Sequence, residues 1–418
     1  MTSDIKKSND MVFLTLSVMG LVAILSSTMS KNPGLKPFAT SLGTPDEWTG
    51  FVASASTIPG ILVSLPAASL SDIFGRKKFL LLAGFIFASA PFLYILITVW
   101  WQLILLRFYH GFATAIFVPV VEATIAELFP TKRGERLSLF SSITYVGRVI
   151  APVLGGTILL VTGTNFHTLY LSVAVAGVTA FITGLLFLSE KNPKKAQSKM
   201  EDTGAIIKKV FEGWGTMIKN SKVVVVCLVQ ACQYYSFGVV EYYLSGYLQE
   251  FLQLDWLSTG LITVSLIAVP IVVKPYMGRM SDRIGRRLPI ILGCIVCGLP
   301  LIVIPFTSIF WFLLLLAMVY GFGFATVTAS TPALISELAP KELIGASMGF
   351  LDTIMDVGQT FGPIISGFIL ATNLQYYGVF SSLTVVLLFS CVIFASSGII
   401  KAKTVDSINM PNHYTPAK

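Results

Sequence analysis

The sequence predicts an all-α integral membrane protein whose twelve transmembrane helices form two pseudo-symmetric six-helix bundles. Three observations carry this. Of 418 residues, 54% are hydrophobic and only 12% are charged, against about 25% charged in an ordinary soluble domain, so polar side chains are too few to cover a water-facing surface. Twelve apolar runs approach or exceed the roughly 20 residues that a helix needs to cross a bilayer core. Motifs of the first half recur in the second at a fixed offset. The composition excludes a soluble enzyme, a disordered chain and a nucleic-acid binder; lipid, not nucleic acid, is the expected surrounding.

The runs fall at 11–30, 47–69, 79–99, 101–128, 136–162, 167–189, 222–246, 256–277, 288–306, 310–338, 343–371 and 376–400. The longest extend into water or tilt. The first follows Lys6 and Lys7 as a signal peptide would, but it opens a repeating series and lacks a small-residue cleavage site. Prolines inside the runs, among them Pro119, Pro152, Pro270 and Pro363, are tolerated where neighbours or a cavity satisfy the freed backbone.

With the N-terminus inside, 24 of the 29 Lys and Arg fall in cytoplasmic segments and two, Lys31 and Lys36, in outside loops. That bias orients the chain with both termini in the cytoplasm of a cell-membrane protein. It also accounts for the net positive charge without an acidic partner. Trp48, Trp100, Trp101, Trp256 and Trp311 fall at outer ends, as an interfacial belt requires.

The longest polar stretch, 190–221, divides the chain into bundles at 1–189 and 222–400, with a cytoplasmic tail at 401–418. Within it Ile207, Val210, Phe211, Trp214 and Ile218 share one helical face. This is either an amphipathic helix on the inner membrane surface or a solvated linker helix.

The halves repeat at an offset of 210 residues. Ala126-Glu127-Leu128 answers to Ser336-Glu337-Leu338, and Gly111-Phe112 to Gly321-Phe322. The loop Ser71-Asp72-Ile73-Phe74-Gly75-Arg76-Lys77 answers to Ser281-Asp282-Arg283-Ile284-Gly285-Arg286-Arg287. Gly147 through Pro152 to Gly155 on span 5 is echoed by Gly358, Gly362 and Pro363 on span 11. Duplicated halves around a midplane site are the architecture of alternating access.

On these motifs the chain resembles the major facilitator superfamily, and most the twelve-span drug:proton antiporter (DHA1-like) branch, over about 11–400. The family's loop signature, G-x-L-x-D-R-x-G-R-R/K, is matched from Gly278 to Arg287 with Met280 in place of Leu. The first-half copy keeps Leu70, Asp72, Gly75, Arg76 and Lys77 but has Ala68 for Gly and Ile73 for Arg. Arg107 and Gly111 meet the span-4 signature, and Gly147, Pro152, Gly155 and Gly156, with Ala151 for Gly, meet the antiporter signature of span 5. The resemblance implies proton-coupled efflux and gating at the interface of the halves by the glycine-rich spans. It departs on span 1, which has no acidic residue where some members of the branch carry one.

The residues support a parallel reading. Asp72, Asp282, Arg76, Arg286, Arg136, Glu127 and Glu337 cluster at inner helix ends, where carboxylates and guanidinium groups form charge-assisted pairs. They are read as a latch that is closed in the outward-facing state and broken inward, or else as ordinary loop charge. Gly75 and Gly285 permit the tight turn beside it.

An ionisable group inside the membrane is a functional candidate by default. Counting about 1.5 Å per residue from the outer ends, Arg148 on span 5 and Asp356 on span 11 lie at matching depth. They are the favoured proton-coupling pair, set against a static bridge or a positive pocket of Arg148, Arg107 and His110 for an organic anion. Glu122 and Asp352 lie deeper, and Glu241 and Lys274 near opposite surfaces. Phe112, Phe117, Gln230, Gln233, Tyr234 and Tyr235 mix stacking surface with amide donors, as an amphipathic cargo needs, or else pack between helices. Cys294 and Cys297 lie within span 9 and read as packing residues rather than a redox pair. No metal or cofactor motif is present.

The sequence therefore predicts a monomeric secondary transporter, not an enzyme, exporting hydrophobic or amphipathic small molecules against protons. The alternatives are a symporter or exchanger of a small organic anion held at Arg148, and a non-transporting membrane sensor.

Overall fold

The computed structural model describes residues 2–188, 214–339 and 344–399. Most of the 190–221 segment, Lys341, the 401–418 tail and the side chain of Asp72 lie outside the described residues. The helices of the first half are α1 (Thr2–Met29), α2 (Leu35–Ser41), α3 (Asp46–Ser54), α4 (Ile58–Phe74), α5 (Arg76–Leu96), α6 (Trp100–Leu128), α7 (Arg133–Val161) and α8 (Phe166–Phe187). Those of the second are α9 (Ser221–Gly246), α10 (Trp256–Ile284), α11 (Arg287–Val303), α12 (Phe310–Leu338), α13 (Ile344–Leu370) and α14 (Gln375–Ser396).

Ten of these are long and apolar enough to cross a bilayer. The other two expected crossings are α13 and the pair α3–α4, which a turn at 55–57 divides. Several starts are capped by the side chains the sequence places there. Asn165 accepts from the Thr168 backbone N–H at 3.1 Å, Asn220 from Lys222 at 3.1 Å and Asp255 from Ser258 at 2.9 Å, satisfying orphan donors of α8, α9 and α10. Slight burial opposes ionisation of Asp255, but the bonds from Ser258 outweigh it and hold its carboxyl below the usual range.

The duplication is visible as packing. In the first half α1 lies against α7 and α8, α5 against α6 and α8, and α4 against α6. In the second half α9 lies against α13 and α14, α11 against α12 and α14, and α10 against α12. Each half has a buried core of its own, one around Phe87 and Phe117, the other around Val229, Cys294 and Phe394.

Both repeated loops turn on a glycine with positive φ, Gly75 at 101° and Gly285 at 88°. Gly285, with ψ 158°, occupies a region open essentially to glycine alone. Gly285→Ala is expected to destabilise the fold by about 1–3 kcal/mol, read as a lower Tm of the purified protein in detergent. An unchanged Tm would mean that the turn relaxes without strain.

Two expectations need correction. The stretch after span 1 is not a loop throughout: its apolar residues form α2, with Leu35, Lys36 and Phe38 buried. Trp256 does not belong to an interfacial belt. It is 7% exposed and its indole N–H donates to Thr164 at 2.8 Å, between the halves.

Candidate substrate chamber

Among the described residues the halves pack most extensively at one end. There α3 packs on α13 and α7 on α10, the crossings that the duplication makes equivalent. The approach is backbone to backbone. A Cβ on Gly50 would collide with the carbonyl of Pro363, one on Gly156 with the carbonyl of Trp256, and one on Gly260 would stand 2.6 Å from the carbonyl of Pro152. Hydroxyls stitch the same seam. Ser54 donates to the Thr360 carbonyl, Thr57 and Thr360 share a bond at 2.6 Å, and Tyr243 bonds Thr49 at 3.1 Å and the Pro363 carbonyl at 3.0 Å. A continuous apolar cluster from both halves, including Leu35, Val52, Tyr243, Tyr247 and Trp256, backs this seal.

An ion pair also bridges it. The Lys36 ammonium, 2% exposed, donates to Glu250 at 3.0 Å, and Thr40 and Tyr376 complete the carboxylate's shell at 2.7 and 3.1 Å. Glu250 sits on a π turn, Tyr247–Phe251, that continues α9. Charge-assisted bonds of this kind contribute about 1.5–3 kcal/mol. Lys36→Met is therefore expected to shift the molecule toward the unsealed form about 10- to 100-fold. Faster labelling of a cysteine placed at Thr49 would register it, and an unchanged rate would show that the pair does not hold the seal.

At the opposite, basic end every described ion pair stays within one half. Arg76 meets Glu127 at 3.1 Å and Arg136 meets Asp10 at 2.8 Å. Arg286 meets Asp282 at 2.5 Å and Glu337 at 2.9 Å. Partial burial works against charge on Arg286, but the bonds to Glu337 and Asp282 prevail and raise its pKa. Arg76–Glu127 and Arg286–Glu337 are the same pair at the 210-residue offset. Arg136 also lies over the rings of Phe13 and Phe129, at 4.9 and 4.6 Å. Among the described residues no ion pair joins the halves at this end.

Between the ends lie the intramembrane charges. Glu122 and Asp352, from opposite halves, are both exposed. Arg148 is exposed, with its guanidinium 5.5 Å from the ring centre of Tyr145. Asp356 lies against Gly60 of α4, whose Cβ would stand 3.4 Å from its carboxylate oxygen. Arg148 and Asp356 thus share the space between the halves without forming an ion pair in this state. Tyr234 has Tyr145, Arg148, Asp352 and Asp356 as its charged or polar neighbours. Lys274 is not a surface group: it lies 5.6 Å over the ring of Phe324, with Arg148 near it.

Directly beneath the seal is a small cavity of about 30 Å³ lined by Lys31, Asn32, Leu35, Ala53, Thr57, Arg107, Gly238, Glu241, Tyr242, Gln359 and Pro363. Asn32 donates to Glu241 across the halves at 3.2 Å. Arg107, 1% exposed, donates to Ser56 at 2.5 Å and to Tyr94 at 3.4 Å, and its Nε has no partner. His110 stands behind it within the first half, 3.4 Å from the Tyr94 hydroxyl.

Several expected site residues lie elsewhere. Phe117 is fully buried in the first-half core against Phe87. Gln230 accepts from Thr331 at 2.5 Å, and Gln233 is buried beside Cys294. These three pack helices together and do not line the chamber. Phe112 stacks edge-on to Phe108 of its own helix. The glycine-rich spans also divide. Gly147 packs on Leu21, Gly155 nearest Asn32, Gly358 on Ala231 and Gly362 on Tyr235, each within its own half. Gly156, Pro152, Thr360 and Pro363 of those stretches touch the other half, and the gap they close is completed by Gly50 and Gly260. Lys31, Asn32, Lys36, Glu250 and Gln359 escaped sequence reading. The one signal for the first three was the apolar run 35–42 straight after Asn32-Pro33-Gly34, which marks a bent continuation of span 1 rather than a loop.

The Major Facilitator Superfamily model matches residues 11–273 and 226–404. The chain belongs to that superfamily. It is a multi-pass membrane transporter of small molecules and not an enzyme. Multidrug resistance protein MdtG of Enterobacter lignolyticus is 24% identical over 390 residues, 91% of this chain and 90% of that one. Multi-drug resistance efflux pump PmrA of Streptococcus pneumoniae is 26% identical over 381 residues, 86% and 89% of the two chains. A bacterial homologue of the human lysosomal transporter Spinster, solved inward-facing and unoccupied, superposes with a TM-score of 0.76 at 14% identity, covering 93% of this chain and 96% of that one. At that identity the likeness speaks for the fold alone.

Proposed function

We propose that this superfamily member is a monomeric secondary transporter that works by alternating access and exports hydrophobic or amphipathic small molecules in exchange for protons. The observation that carries the reading is the asymmetry of contact between the halves. Extensive packing on α3–α13 and α7–α10 seals one end, while the ion pairs among the described residues of the other end all stay within a half. The charge bias assigns the parted, basic end and both termini to the cytoplasm. The state is then inward-facing, and the cytoplasmic charges await the outward form in which they meet across the halves. The relatives named as multidrug resistance proteins support the class of cargo.

Asp356 supplies the coupling in this reading. It shares the inter-half space with Arg148 but is not bonded to it, so it is free to exchange a proton with cytoplasmic water. Exchange requires it to give up its proton to cytoplasmic water in this inward-facing state, where nearby Arg148 favours the carboxylate, and to take one from outside when the chamber faces outward. Reconstituted protein with a fluorescent lipophilic dye inside the vesicles tests this. An imposed pH gradient should drive dye movement, and dye should drive proton movement. Dye flux indifferent to the gradient would remove the proton from the mechanism.

A further inference from the structure

The cavity beneath the seal holds more positive charge than its own carboxylate satisfies. Lys31 and Arg107 both line it, with Glu241 as the sole acid among its lining residues. Glu241 takes its bond from Asn32, and neither cation forms an ion pair among the described residues. Arg107 is 1% exposed, its two bonds go to the uncharged hydroxyls of Ser56 and Tyr94, and its Nε is left without an acceptor. A buried guanidinium served only by neutral oxygens is costly, and an anion brought to it recovers that cost. Gln359 offers an amide from the other half, and the lining also includes the apolar Leu35, Ala53 and Pro363.

We infer that this cavity is a head-group subsite for amphipathic monocarboxylates. The carboxylate is bound by Lys31 and the free edge of Arg107, and the apolar body lies against Leu35, Ala53 and Pro363. One negative charge balances the two cations against Glu241, so a monoanion fits where a lipophilic cation would add to the excess. The subsite joins α6 to the bend between α1 and α2 in one half, and Glu241 and Gln359 belong to the other. A bound amphiphile therefore touches the first half through its head and the second through Pro363, just where they are sealed. The inference rests on the efflux reading for its biological sense, and it narrows the cargo to amphiphiles with an anionic head.

The test uses three probes with one apolar body: 1-naphthoate, 1-naphthamide and 1-naphthylmethylammonium. Binding to the purified full-length protein is measured by intrinsic fluorescence and by the shift in Tm. Naphthoate should bind at least tenfold more tightly than either of the others. Lys31→Gln should erase that preference while leaving naphthamide affinity as it was, and Arg107→Gln should do the same if it folds. Since Lys31 is only partly buried, its variant keeps the question open to an answer if Arg107→Gln fails to fold. Equal binding of the three probes, or a preference that survives Lys31→Gln, overturns the inference. The efflux reading fails separately: naphthoate preference with no gradient-driven dye or naphthoate flux would leave the subsite standing and remove the pump. Gradient-driven flux with no charge preference would do the reverse.

Discussion

Gly50→Leu is expected to trap the transporter with its sealed end open and to lower transport about 10- to 100-fold. In the sealed state the residue has no room for even one methyl group, because the Pro363 carbonyl occupies the position a Cβ would take, with the backbone of Ile364 beside it. The obstacle is main chain on a neighbouring helix and not the tip of a flexible side chain, so it does not swing aside. Overpacking of a tight contact costs about 1–3 kcal/mol. If all of that cost falls on the sealed state, its population relative to the open one drops by about one to two powers of ten. The helix itself tolerates leucine well, so expression and insertion should survive. The measurement is the labelling rate of a cysteine at Thr360, which the seal now covers from Thr57. Rapid labelling together with lost flux is the expected pair of results. Normal flux would show that the helices slide apart without losing the seal, and the close approach would then be packing only.

Asp356→Asn should separate transport from the proton. The substitution keeps the shape and removes the only charge of that side chain, which lies against Gly60 of the opposite half. The pH-gradient-driven component of dye flux is expected to fall at least ~10-fold, equivalent to about 1.4 kcal/mol or more of lost coupling. Exchange of dye for dye, which needs no net proton movement, should continue at near the original rate. Loss of both would mean that Asp356 holds the structure or the cargo. Retention of both would move the coupling elsewhere, with Glu122 and Asp352, the exposed carboxylates of opposite halves, as the next pair to vary. This carboxylate forms no ion pair among the described residues, so its replacement by the amide breaks no direct salt bridge. That makes the variant a cleaner probe than Arg148→Ala.

The mapping from sequence to site was uneven for a physical reason. Arg76–Glu127 and Arg286–Glu337 form as the repeat implies, since each links neighbouring helix ends of one bundle and local order along the chain fixes them. The amides were misassigned. Gln230 and Gln233 have the same composition signal whether they face a chamber or a neighbouring helix, and here Thr331 and Cys294 meet them inside the bundle. The rotation of α9 about its own axis decides this, and that rotation is set by how it packs on α12 and α13. Glycines posed the same difficulty. A small residue licenses close approach without naming the partner, so Gly358 faces α9 of its own half while Gly50, outside any quoted motif, meets the other half.

By itself the sequence determined the environment, the crossings and the duplication, because apolar content, its interruption by charge and a repeated motif are one-dimensional properties that a bilayer reads directly. The family followed from the same motifs. Only the tertiary structure decided which end is sealed, that Lys36 reaches Glu250 and that Lys31 turns inward beside Arg107. Those contacts join residues about 70 to 210 positions apart, and they exist only once α1 has bent into α2 and the two bundles have docked. No local pattern encodes such a meeting, since it depends on the shape of both partners at once.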